Sequence, residues 1–145
     1  MTATVNTTVT PSPDARSATT HPVKLWRPGM AAGLVAAAAT VAVAAVAHGL
    51  GVSLETAPGE AIPVVGFGQL TLFFTAIGVL MARTMGRRAR HPRSTFTRTT
   101  IVLTALSLVP DVVLSAAAST KLTLVLTHLV AAAIVIPALS SRLPE

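Results

Sequence analysis

Residues 30–47 read MAAGLVAAAATVAVAAVA, eighteen consecutive positions whose one polar member is Thr40. At ~1.5 Å per residue, such a run covers nearly the whole ~30 Å hydrocarbon core of a bilayer. A helix that is apolar on every side belongs in a core or in lipid, not on a wet surface. Three further apolar stretches follow, so the spans are about 30–50, 61–82, 100–118 and 122–139. They predict an all-α fold: an integral membrane four-helix bundle built from two antiparallel hairpins.

Composition supports this reading. Of 145 residues, 52% are hydrophobic and 11% charged, whereas a soluble domain of ordinary composition needs roughly 25% charged residues to wet its surface. Cysteine is absent, which excludes disulfide scaffolds, thiolate-ligated metals and thiol nucleophiles. Tyrosine is absent and tryptophan occurs once, leaving few stacking platforms for nucleic acid despite a net charge of +6. No nucleophile elbow, phosphate-binding loop, dinucleotide fingerprint or short metal-ligand spacing is present. The expectation is therefore not an enzyme, with no cofactor, no metal and no nucleic-acid partner.

The charges orient the spans. Residues 1–23 are rich in Thr, Ser and Pro and read as a disordered tail ahead of a transmembrane domain over 24–145. Arg16, Lys24 and Arg27 precede the first span, and Arg83, Arg87, Arg88, Arg90, Arg93 and Arg98 mark an Arg-rich loop at 83–99. Arg142 follows the last span, so ten of the eleven basic residues fall on one side and Lys121 alone on the other. By the positive-inside rule both termini are cytoplasmic in a bacterial cytoplasmic membrane. The same arginines attract anionic headgroups, so the partners expected are the lipid bilayer and those headgroups, with a homo-oligomer or a membrane partner protein beyond them. Ala45-Val46-Ala47 before His48 also resembles a signal-peptide cleavage site, but the apolar run exceeds the usual ~7–15 residues, which favours a retained helix.

In lipid, helices associate through close packing and polar contacts. Gly29-x-x-x-Gly33 continues at four-residue spacing through Ala37, Val41, Ala45 and Gly49, a smooth packing ridge. The third span carries Thr100, Thr104, Ser107, Asp111 and Ser115 on one face, with Pro110 inside it. Asp111 is the one acidic residue deep in a span and needs a partner or a proton. His128 lies symmetrically across the turn near Ser119 and Thr120, so both sit ~12 Å in from the same end. Gln69 and Thr40 reach a similar depth on the other hairpin. Asp111, His128, Gln69 and Thr40 therefore form a candidate polar layer, with His48, Glu55 and Glu60 above it as an acidic outer vestibule. The layer reads either as a structural clasp that fixes helix register or as a proton- or ion-coupled pathway using an Asp111–His128 pair. A metal or hydrolytic centre is a third reading with no ligand spacing behind it.

The segments LWRPGMAAGLVAAAATVAVAAVAHGLGVSLE, IPVVGFGQLTL, FTRTTIVLTALSLVPDV and KLTLVLTHLVAAAIVIPAL resemble a family of short actinobacterial membrane proteins of unknown function. The resemblance covers about residues 24–144 and implies a four-helix integral membrane protein without supplying a reaction. Small multidrug-resistance transporters share the size and span count but depend on a glutamate in the first helix, where this chain has only Thr40 and His48. The function expected is that of a small structural or accessory protein of the cytoplasmic membrane or cell envelope. The alternative is a small proton- or ion-coupled transporter or channel-like subunit.

Overall fold

The computed structural model describes residues 25–113 and 116–145. Within them the elements are α1 (Trp26–Gly49), β1 (Glu55–Ala57), β2 (Glu60–Ala61), α2 (Val64–Arg88), α3 (Pro92–Val113) and α4 (Ala118–Ser140). All four helices are long and apolar enough to cross a membrane. The tail at 1–23 and Ser115 lie outside the described residues.

The termini of the helices follow from local chemistry. At the end of α1, Val52 N–H donates to the Ala47 carbonyl at 3.0 Å and Gly51 N–H to His48 at 2.9 Å. This closure needs a left-handed residue, supplied by Gly51 at φ 87°. Pro63 in extended conformation precedes α2, and Pro92 opens α3, a position where its missing N–H costs nothing.

Several boundaries differ from the sequence expectation: α1 starts earlier, at Trp26, and α4 starts at Ala118, so Ser119 and Thr120 are helical and not the expected turn. Three further differences bear on the ends of the bundle. The Arg-rich segment at 83–99 is not a loop: α2 runs to Arg88, α3 starts at Pro92, and only residues 89–91 connect them. Arginine is a good helix former, so charge ends the apolar stretch without ending the helix. Arg83, Arg87, Arg88, Arg90, Arg93 and Arg98 are all exposed at this end. The second difference is at the opposite end, where the expected plain loop forms a small antiparallel hairpin of β1 and β2. Pro58-Gly59 turns it, with Gly59 at φ 79°. Third, α2 begins at Val64 and not at Ala61, because Ala61 is taken up by β2.

The helices pack as an antiparallel ring in which α1 meets α2 and α4, and α3 meets α4 and, less extensively, α2. Small residues make the closest seam. A Cβ added at Gly29 would run into Val79 Cγ2, one at Gly33 would sit 3.0 Å from Thr75 Cγ2, and one at Gly68 would sit 2.8 Å from Val41 Cγ2. The ridge on α1 is used only in part: Gly29, Gly33 and Ala37 are buried, whereas Ala45 and Gly49 are exposed. Beyond Val41 the straight helix rotates this row away from α2, because rows at four-residue spacing drift around a 3.6-residue helix. The buried role passes to the neighbouring row through Ala36, Thr40 and Ala44.

Two apolar clusters close the bundle. At the arginine end Leu25, Val79, Ala82, Phe96 and Leu139 surround Leu143, which folds back beneath the helices. At the hairpin end Leu54 packs against Ala44, Phe67 and Leu124 and is only 1% exposed. The outer surface, in contrast, presents Leu34, Val35, Phe73, Phe74, Leu80, Val102, Leu106 and Val109.

Candidate functional site

Asp111 lies one residue past Pro110 near the C-terminal end of α3 and is 7% exposed. The proline removes one backbone hydrogen bond from this turn. The end of the helix is held instead by Lys121, whose Nζ donates to the Val112 carbonyl at 2.8 Å. A cation at that position also complements the negative end of the helix dipole.

Across from Asp111 stands His128 on α4. Its Nδ1 is 3.0 Å from Asp111 Oδ2 and 3.0 Å from the carbonyl oxygen of Leu124. One nitrogen carries at most one proton. The direction of the ring N–H favours the Leu124 carbonyl, and Oδ2 is left as a buried oxygen without a well-directed hydrogen bond. The approach of Nδ1 to Oδ2 is thus an electrostatic contact and not a directed hydrogen bond. The two partners differ in environment, since the His128 side chain is 37% exposed and that of Asp111 9%.

Among the described residues, the remaining hydroxyls of this α3 face bond to their own backbone. Thr100 donates to Phe96, Thr104 to Thr100 and Ser107 to Thr104, each at 2.7–2.8 Å. On α4, Thr123 and Thr127 do the same toward Ser119 and Leu124. These hydroxyls are satisfied locally and leave Asp111 Oδ2 and Thr120 Oγ1 as the unpaired buried side-chain atoms among the described residues.

On the first hairpin, Thr40 is 1% exposed and reaches Thr71 Oγ1 at 3.0 Å and the Ala37 carbonyl at 3.0 Å. Thr71 in turn donates to Phe67 at 2.7 Å. Two hydroxyl protons serve three contacts here, so one bond alternates between them. Gln69, expected in this layer, is exposed. The interior face of α2 runs through Phe67, Gly68, Thr75, Val79 and Ala82, and Gln69 lies two positions from Thr71, about 200° around the helix. Thr71 takes the place expected for Gln69. The spacing Phe67, Thr71, Thr75 was the available signal, masked by the greater polarity of glutamine.

The four-residue layer is therefore two separate pairs, Thr40–Thr71 between α1 and α2 and Asp111–His128 between α3 and α4, with no hydrogen bond joining them among the described residues. The vestibule also differs from expectation. His48, Glu55 and Glu60 are exposed, and Leu54 fills the space beneath the hairpin against Leu124, one turn from His128. Among the described residues no three His, Asp or Glu side chains converge as a metal ion requires.

Residues 20–145 match the family of unknown function DUF6069, and the chain belongs to that family. No curated protein and no solved structure shows a significant match.

Proposed function

We propose that this member of the DUF6069 family is a multipass protein of the bacterial cytoplasmic membrane that serves as a structural or accessory component and not as an enzyme. In this reading both termini and the arginines at 83–98 face the cytoplasm, and the β1–β2 hairpin faces outward. The protein acts through a second copy of itself or through a partner membrane protein, and anionic headgroups gather at its arginine end. The positive-inside rule supports the orientation, since Arg27, Arg83, Arg87, Arg88, Arg90, Arg93, Arg98 and Arg142 gather at one end and Lys121 stands at the other. Reporter fusions at Arg90 and Glu55 test it: activity of a periplasmic reporter at Arg90 overturns the orientation.

The observation that carries the structural role is the local satisfaction of the inward hydroxyls. A proton pathway needs a connected series of exchangeable donors and acceptors, and the hydroxyls of α3 and α4 are bonded to their own helices. Asp111 and His128 then act as a clasp that fixes the register of α3 against α4. A second reading, a proton- or ion-coupled pathway through the pair, draws on one observation: Asp111 Oδ2 lacks a well-directed hydrogen bond while His128 is partly open. Reconstitution in liposomes containing a pH-sensitive dye separates the two. The clasp predicts no flux above empty liposomes and a loss of folded protein in Asp111→Asn. A flux abolished in a well-folded Asp111→Asn variant overturns it in favour of transport.

A further inference from the structure

Two crevices lie in line along one face of α3. At the arginine end, the first turns of α3 and the chain terminus enclose an open pocket that includes Ser94, Thr97, Arg98 and Glu145. One turn further along, the gap between α3 and α4 becomes an apolar trough, with Ile101, Ala105 and Leu108 on one wall and Ala132, Ala133 and Ile136 on the other. Positions 94, 97, 98, 101, 105 and 108 recur at spacings of three and four, which puts pocket and trough on a single helical stripe.

We infer that this stripe is a discrete binding site for one anionic phospholipid, its phosphate held by Arg98 with Ser94 and Thr97 and one acyl chain lying in the α3–α4 trough. The inference rests on the proposal that the helices span a bilayer with the arginine end at the headgroups. The chemistry is graded in the order a lipid requires. Guanidinium and hydroxyl donors stand where the phosphate lies, and alanines that leave room stand where hydrocarbon begins. The trough between Ile101 and Leu108 runs ~10 Å along the helix axis, depth enough for the upper part of an acyl chain.

Charge complementarity identifies the occupant as anionic. Arg93 is already paired with Glu145, and both are exposed, a contact of the weak kind that a phosphate displaces readily. Arg98 is exposed beside them. Arg83, Arg87 and Arg88 sit on α2 and do not line the pocket, so they supply only the general attraction that any basic membrane end exerts. The trough marks the α3–α4 seam as the looser one, beside an α1–α2 seam where Gly29, Gly33 and Gly68 bring the helices into close contact.

The test is native mass spectrometry of the full chain released from detergent after mixing with phosphatidylglycerol or phosphatidylcholine. One phosphatidylglycerol is expected to remain bound, with phosphatidylcholine retained far less. Arg98→Gln weakens retention about tenfold, as loss of one charge-assisted contact of the order of a decade in affinity, and Ala133→Phe, which fills the trough, weakens it comparably. Ala105→Phe on the other wall repeats the trough test in case Ala133→Phe misfolds, with circular dichroism as the check. Arg88→Gln, an equal charge change off the stripe, leaves retention within about twofold. Equal losses in Arg88→Gln and Arg98→Gln overturn the site in favour of diffuse attraction. Unchanged retention in both trough variants, or displacement of the lipid by excess inorganic phosphate, overturns it in favour of a pocket for the anion alone. Equal retention of phosphatidylcholine overturns the headgroup assignment. Failure of the underlying membrane reading looks different: the expressed protein is then extracted from membranes by alkaline carbonate.

Discussion

The two seams on either side of the bundle are built on opposite principles. Along α1, 33% of the apolar span is buried, and the contact with α2 is made by glycine, alanine and threonine, so the backbones approach closely. Along α3 only 11% of the span is buried. Its contact with α4 combines an open trough with the buried Asp111–His128 pair and the exposed Lys121–Val112 bond. Where shape complementarity holds two helices, no buried ion is needed to align them. Where the seam is looser, as between α3 and α4, the proposed clasp of Asp111 and His128 would set the register instead. A close seam therefore carries stability and a loose one carries specificity.

The most damaging way to break this contrast is at Gly29. Even a methyl group there meets Val79 Cγ2, and a β-branched side chain cannot swing out of the way. Gly29→Val is expected to destabilise the folded protein by up to ~3 kcal/mol, the upper range for an overpacked contact. Val79→Ala in the same chain restores most of the loss. Reversible unfolding in mixed micelles measures both, and a Gly29→Val variant as stable as its parent removes the close seam from the account. Next in size is Leu54, which sits at φ 57° with its side chain buried among Ala44, Phe67 and Leu124. Leu54→Ala is expected to cost ~2 kcal/mol, the low end for a buried leucine, and to loosen the hairpin end selectively. Faster amide exchange confined to residues around the hairpin is the corresponding signature, and uniform exchange throughout the chain contradicts it.

The parts of this architecture that could be read in advance are those governed by length and counting. Eighteen residues without a charge specify a helix of membrane length, and the pairing of Asp111 with His128 was legible as a lone buried acid needing a partner on the next helix. The turn expected near Ser119 lies within α4, however, so symmetry about it does not set their depth. Rotation about a helix axis is another matter. The spacing of Thr71 with Phe67 and Thr75 is a weak signal beside the greater polarity of Gln69, and the choice between them is made by how Gly68 seats against Val41. The arginines that join α2 and α3 are helical, although a drop in hydropathy suggests a loop, since hydropathy reports the preferred solvent and not the backbone. Leu54 and Leu143 were also out of reach. Each closes one end of the bundle from a short non-helical segment, and a lone leucine between polar neighbours carries no periodic signal.

The polar seam can be probed by removing one member of its pair. His128→Ala leaves Asp111 buried with its best partner gone, at an expected cost of ~1–2 kcal/mol, toward the upper range measured for polar contacts between membrane helices. The double variant Asp111→Leu/His128→Leu recovers that loss, because an apolar pair of similar size escapes the desolvation that the buried polar pair must offset. If the single and double variants lose equal stability, the pair acts through volume and the clasp is the wrong description. A recovered but mispaired bundle, seen as altered cross-linking between α3 and α4, is the outcome that makes register its main contribution.

The smallest effect belongs to Gly49, and it sharpens the contrast because Gly49 lies on the same four-residue row as Gly29. A Cβ there meets nothing within 4 Å, while the residue still closes the last turn of α1. Alanine in a helical position is favoured over glycine by up to ~1 kcal/mol, reduced near a terminus where the helix frays. Gly49→Ala is therefore expected to leave stability unchanged or raise it by less than ~0.5 kcal/mol. The left-handed position two residues on, Gly51 at φ 87°, carries the turn, so Gly51→Ala destabilises where Gly49→Ala does not. Loss of stability in Gly49→Ala comparable to that of Gly29→Ala means that the row is packed along its whole length, against a neighbour beyond the single chain. In that event the exposed end of α1 becomes the place to look for the second copy or partner through which the protein acts.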